Sequence, residues 1–242
     1  MKRLVPLCFL PLLLSQGLVA HADDYRLGGF RLALIDDPWS VEFQGAKQAS
    51  PQNFEQVVKI VGAPRGWKVV NATEGRIELT NLVRDRHMML IEVTYDATGY
   101  RIRYLKSANL DYGEQKRGST TLRVIHSNYN GWIKDLVSDI NAGLGAPART
   151  TVGFAPLAKV DSVPFINAKG RDGYAEFLTW PTPRAFVIAP NGAWGRGFAR
   201  SSSWRGDVVE YALENCNRRG QGQCGVYAID EHVVWPAAGT AK

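Results

Sequence analysis

Cysteine and histidine are scarce in this chain, three and four among 242 residues, and that scarcity excludes several chemistries. No Cys-x-x-Cys occurs, so neither a thioredoxin-type redox pair nor a ribbon-type zinc site has its ligands. G-x-S-x-G, H-E-x-x-H and the glycine-rich phosphate loop are also missing; these spacings would mark a serine hydrolase, a zinc protease or a nucleotide-binding enzyme. No apolar run approaches the roughly 20 residues that a membrane-spanning helix needs. There is no internal repeat and no low-complexity tract.

What is present begins with MKRLVPLCFLPLLLSQGLVAHADD. Lys2 and Arg3 precede an apolar run from Leu4 to Leu14, and Ala20-His21-Ala22 has the small-x-small form that signal peptidase cleaves. Residues 1–22 are predicted to be a signal peptide cut after Ala22, which sends a soluble mature chain to the periplasm. A lipoprotein would need a small residue before its lipidated cysteine, and Cys8 follows Leu7. Loss of Lys2 and Arg3 lowers the formal charge from +6 to +4, a mildly basic balance.

With Cys8 removed, Cys216 and Cys224 remain. Two cysteines in an oxidising compartment read first as a disulfide. Seven residues separate them and His232 is the nearest histidine, so a metal centre lacks ligands. In SSSWRGDVVEYALENCNRRG, Asp207 and Glu210 have the form of a capping box. Val209, Leu213 and Cys216 recur at helical spacing, and Gly220 marks the end. CGVYAID then reads as a strand that turns back at Asp230-Glu231. The staple would tie a helix to the following strand.

About 220 mature residues fit two domains. The boundary falls in the glycine- and proline-rich stretch 146–163, leaving an N-terminal domain over 23–145 and a C-terminal, disulfide-stapled domain over 164–242. In the first, Ser50 and Pro51 open a helix that Gly62 and Pro64 close. WKVVNAT and RIELTNLV could pair across Glu74-Gly75. MMLIEVTY-DATG-YRIRYLK is a hairpin in which Tyr95 facing Tyr100 puts Ile91, Val93, Ile102 and Tyr104 on one face, with Glu92 opposite Arg103 on the other. HSNYNGWIKDLVSDINAGLG is a closing helix. The second domain reads as a helix around GYAEFLTW, a hairpin RAFVIAP-NG-AWGRGFA, the capped helix and a final hairpin. The fold class is therefore α+β, two small domains, each an antiparallel sheet with helices packed on one face.

Two blocks carry a resemblance. RDRHMMLIEVTYDATGYRIRYLKSANLDY with IHSNYNGWIKDL resembles a pattern of an uncharacterised exported proteobacterial family, on the spacing of His87, Ser107, Asn109, His126, Tyr129, Asn130 and Trp132. PRAFVIAPNGAWG with YALENC and CGVYAIDEHVVW resembles a small cysteine-containing C-terminal module of other bacterial exported proteins. The resemblance implies compartment and domain division, and no catalytic residue is carried over from it.

The candidate chemistry is correspondingly modest. His87, in Asp85-x-His87 at the mouth of a strand, and His126, just before a helix, could approach each other, with Ser107 or Asp111 nearby. Tyr129 and Trp132 crowd the start of the closing helix, where they either form a recognition surface or pack on the sheet. Arg101 and Arg103 belong to a series of short basic groups suited to anionic envelope material. Trp194 and Trp204 sit among glycines, serines and arginines, where a sugar or peptide could stack. The predicted function is a soluble periplasmic accessory or binding protein, without catalysis, for an envelope component or a periplasmic or outer-membrane protein. Arg101, Arg103, His126, Tyr129, Trp194 and Trp204 are its candidate contacts. No cofactor, metal, nucleic acid or membrane span is expected. The alternative is a periplasmic hydrolase using His87 or His126.

Overall fold

Burial alternates along β5 (His87–Tyr95): inward-facing Met89, Ile91 and Val93 are fully buried while the residues between them are not. The computed structural model describes residues 32–44, 51–145, 148–199, 201 and 206–236. The predicted signal peptide with its cut after Ala22, and Trp204, lie outside the described residues. β5 pairs with β4 (Arg76–Val83) on one side and β6 (Gly99–Ala108) on the other. Tyr95 faces Tyr100 and Glu92 faces Arg103, the register expected from the sequence, and a bulge at Leu90/Ile91 shifts the far end. Asp96 closes the turn by accepting hydrogen bonds from the Thr98 and Gly99 amides, which hold its carboxyl below the usual range, the Thr98 hydroxyl contributing most.

This hairpin is the centre of a six-stranded antiparallel sheet. β3 (Lys68–Thr73) pairs with β4 at one edge; β2 (Trp39–Phe43) and β9 (Ala148–Val152) complete the other. Helices α1 (Pro51–Gly62) and α2 (Asn128–Leu144) cover one face. Phe54 and Val58 of α1, with Tyr129, Ile133, Leu136 and Ile140 of α2, meet the inward residues of β4, β5 and β6 in one core. The stretch 146–163 contains β9, and Gly153 beyond it bridges to Val233 near the end of the described chain.

A second, four-stranded antiparallel sheet orders β11 (Trp194–Phe198), β10 (Arg184–Ile188), β12 (Gly225–Ile229) and β13 (His232–Val233). RAFVI and GVYAI are buried at every position, a run without alternation that requires cover on both faces. One face meets α4 (Val208–Gly220) through Ala185 and Val187; the other meets α3 (Ala168–Leu178) through Phe186 and Ile188. Asp207 caps α4, accepting from the Val209 and Glu210 amides at 2.8 and 3.2 Å. The helix ends at Gly220, with Gln221 rather than the glycine taking the left-handed conformation.

The third sheet is a ribbon of β1 (Leu32–Leu34), β8 (Thr120–His126) and β7 (Gly113–Arg117). Leu34, Leu122 and Val124 enter the α4 core, while Ile125 of the same strand enters the first core. Over the described residues the fold is thus α+β, with three antiparallel sheets of which the ribbon contributes to both large cores. Among the described residues, no helix is long and apolar enough to cross a membrane.

Cys216 and Cys224 form a disulfide, both side chains fully buried, that joins α4 to the start of β12. The loop it closes is short, so converting both to alanine is expected to lower the unfolding free energy by about 2.5 kcal/mol. Urea unfolding of the two proteins checks this.

Candidate functional site

At one end of the six-stranded sheet, β4 turns into β5 through Arg84 and Asp85, both with positive φ, 54° and 51°, and the Arg86 amide donates to the Val83 carbonyl at 3.2 Å. A type I′ turn requires that conformation at both central residues and usually places Asn-Gly or Asp-Gly in it. Across from this turn, Asn109 and Asp111 are also left-handed, with φ of 56° and 50°. Asn109 and Asp111, each in a conformation costing on the order of 1 kcal/mol, border one spot on the surface, and the Arg84-Asp85 turn leads into it through Arg86.

The spot is an open cleft of about 280 Å³ lined by Arg86, His87, Asn109, Asp111 and His126. His87 begins β5 and His126 ends β8, where it pairs with Leu32 of β1 and its amide donates to the Leu110 carbonyl at 2.8 Å. The two imidazole centroids lie 5.8 Å apart, and the Trp132 ring of α2 stands 6.2 Å from that of His87. Asn109 organises the cleft from both of its ends: its side-chain amide donates to the Arg86 carbonyl at 2.9 Å, and its own carbonyl lies 2.6 Å from His87 Nδ1. A carbonyl only accepts, so His87 carries a proton on Nδ1 and, as neutral imidazole, offers its Nε2 lone pair. The arrangement at His126 is reversed. Its Nδ1 accepts the Asn128 amide at 3.2 Å, which places the neutral ring's proton on Nε2. In this way His126 does the capping for α2 that Ser127, with helical φ and no side-chain cap bond, does not.

The other expected contacts lie elsewhere. Arg101 is exposed on β6 beside Ser40, its Nε 3.2 Å from the serine oxygen. Arg103 is half-buried on the same strand, opposite Glu92 and within the electrostatic reach of Asp37. Tyr129 is 1 % exposed and meets Tyr104 edge-on, so it packs on the sheet. Trp194 stacks on Phe186 at 5.8 Å beneath the glycines of α3, with the Arg196 guanidinium 5.6 Å from its ring. Ser107 is engaged with the Tyr104 hydroxyl at 3.0 Å and does not line the cleft. Of the named candidates, His87, His126 and Asp111 meet in one place. Arg86 and Asn109 join them, and the signal for these was the unusual Arg-Asp turn and the Asn-Leu-Asp sequence, both without glycine.

A second polar cluster lies where the sheets converge. Asp37, 5 % exposed at its side chain, pairs with Arg123 at 2.7 Å and accepts the Tyr104 amide at 2.7 Å. Burial lifts its carboxyl above the usual range even though Arg123, the Tyr104 amide and Arg103 all act the other way. His232 of β13 reaches Asp36 at 2.9 Å. Burial alone would depress its pKa, but the Asp36 hydrogen bond and the charges of Asp36, Asp230 and Glu231 outweigh that and raise it. The hollow that Asp37, Arg123 and His232 line is only about 100 Å³, and their bonds join separate chain segments. Among the described residues, no group of three or more His, Cys, Asp and Glu side chains is placed to hold a metal ion.

No known protein family, curated protein or solved structure matches the chain.

Proposed function

We propose that the protein is an exported, periplasmic binding protein that holds an anionic group, phosphate or carboxylate, of a cell-envelope component in the His87–His126 cleft. The observation that carries this reading is the convergence of Arg86 and two imidazoles on one open, polar cleft, with Asp111 the single carboxylate among its lining residues. A guanidinium offers paired donors to such a group, and His126 Nε2–H adds a third direction. A net positive mature chain draws anionic surfaces toward it. A buried disulfide suits an oxidising compartment.

The test is an NMR titration of the mature protein with inorganic phosphate and with acetate, following the imidazole carbon-bound protons. Saturable shifts are expected at His87 and His126 and not at His232. Arg86→Gln should weaken binding about tenfold, the equivalent of about 1.4 kcal/mol, and added salt should weaken it further because the cleft is open to solvent. Shifts that do not saturate, or that Arg86→Gln leaves unchanged, would remove the basis for this reading.

A further inference from the structure

We propose that the cleft hydrolyses carboxylic esters, with His87 as the general base and His126 as a hydrogen-bond donor to the oxyanion. The inference rests on the binding reading, since the bound anionic component would carry the ester. Its own support is the opposite settings of the two rings. Asn109 O holds the His87 proton on Nδ1 at 2.6 Å, and the Asn128 amide occupies His126 Nδ1 at 3.2 Å. One neutral ring thus presents a lone pair at Nε2 while its neighbour, 5.8 Å away between centroids, presents an N–H. Each ring is oriented by a backbone group, the arrangement that a base and an oxyanion donor need. Held left-handed, Asn109 and Asp111 fix the loop that sets the base, and strained non-glycine backbone gathers where a site must be preorganised.

The step balances without a further reactant. His87 Nε2 takes a proton from water as the water oxygen bonds to the ester carbonyl carbon, and the carbonyl π pair moves onto its oxygen. That oxyanion accepts a hydrogen bond from His126 Nε2–H, while the Arg86 guanidinium stays on the anionic group of the bound component. When the carbonyl re-forms, the C–O bond to the alcohol breaks, and the departing alkoxide takes the proton back from His87. Ester and water are consumed, acid and alcohol leave, and both imidazoles return to their starting forms. An acyl centre fits better than a phosphodiester: attack and departure are separated by a tetrahedral intermediate, so one imidazole serves both. In-line displacement at phosphorus places the water and the leaving group on opposite sides, where one base cannot reach both.

The mature protein is assayed with 4-nitrophenyl acetate and with mono-4-nitrophenyl succinate, each against free imidazole at equal concentration. The protein is expected to exceed imidazole at least about a hundredfold, within the usual reach of a positioned base, and to prefer the anionic succinate. His87→Ala should lose that excess and regain part of it when imidazole is added, while His126→Gln lowers kcat with KM little changed. Circular dichroism of each variant reports whether it is folded, and His87→Gln serves if His87→Ala is not. A wild-type rate no greater than that of imidazole, or a folded His87 variant with the full rate, overturns the proposal. If phosphate still titrates His87 and His126 in that case, hydrolysis has failed and binding stands. If neither is seen, both have failed.

Discussion

Arg123→Met is expected to lower the unfolding free energy by about 3 kcal/mol at pH 7, the cost of leaving a buried carboxylate without its ion partner. Asp37 keeps the Tyr104 amide in that variant but loses Arg123, which supplies both the 2.7 Å ion pair and a 3.2 Å bond to the Asp37 carbonyl. The loss should depend on pH in a defined direction. The folded Asp37 carboxyl already sits above its ordinary value, and removing a cation raises it further. A carboxyl whose folded pKa is raised adds stability below its unfolded pKa, and that stability is lost as pH rises through the folded value. Acidification therefore lets Asp37 take a proton, and the gap between variant and wild type narrows as pH falls from 7 toward 4. Urea unfolding at pH 7 and pH 5 measures both quantities. A gap under about 1 kcal/mol at pH 7, typical of exposed pairs, or one that widens in acid, would contradict this account.

Gly195→Ala should be at least as damaging. A β-carbon there would lie 2.3 Å from the Ala212 carbonyl oxygen and 2.8 Å from the Cys216 amide nitrogen. Both are backbone atoms of α4, so no side chain can turn aside. The helix must lift from β11, yet it is capped by Asp207 at one end and stapled through Cys216 at the other. Overpacking ordinarily costs about 1–3 kcal/mol; with backbone on the receiving side we expect the upper end or beyond. Gly131→Ala is the contrast, since its β-carbon would meet nothing within 4 Å on the exposed side of α2; it should gain up to about 1 kcal/mol from helix propensity. For a chain of this size, 1 kcal/mol moves Tm by about 2–4 °C, so thermal scans separate the two variants in sign. A Gly195→Ala protein that melts like the wild type would mean that β11 and α4 are not in the close contact described.

Most parts of this fold legible in the sequence have their partners close along the chain, although the local β7–β8 hairpin, whose strand GEQKR is all polar or glycine, is not among them. The Tyr95–Tyr100 register follows from alternation on either side of DATG, the α4 cap from Asp207, and the disulfide from cysteine number and spacing. β1 and β2 leave little trace in the sequence, because LAL and WSVEF are short and their partners in β8 and β6 lie about 60 to 90 residues away. β9 hides in a stretch whose glycines and prolines suggest a connector; its ARTTV pairs with WSVEF only once β2 has joined the sheet. The same reason governs the cleft. His87 and His126 stand out as residue types, but their separation is set by where the β1–β8–β7 ribbon meets the six-stranded sheet, with His126 bonded to Leu110 just beyond β6. The roles of Arg86 and Asn109 depend on backbone conformations for which their residue types give little warning.

The ribbon has a further consequence for the order in which the chain assembles. Synthesis delivers Leu32–Leu34 some ninety residues before β8, and Asp36 nearly two hundred before His232. The earliest described strands have no partners when they appear. β2 and β1 gain strand partners once β6 and β8 follow, whereas Asp36 and Gly153 wait for the last hairpin, so a nascent chain released short of β13 would leave the ribbon and the six-stranded sheet without that closing contact.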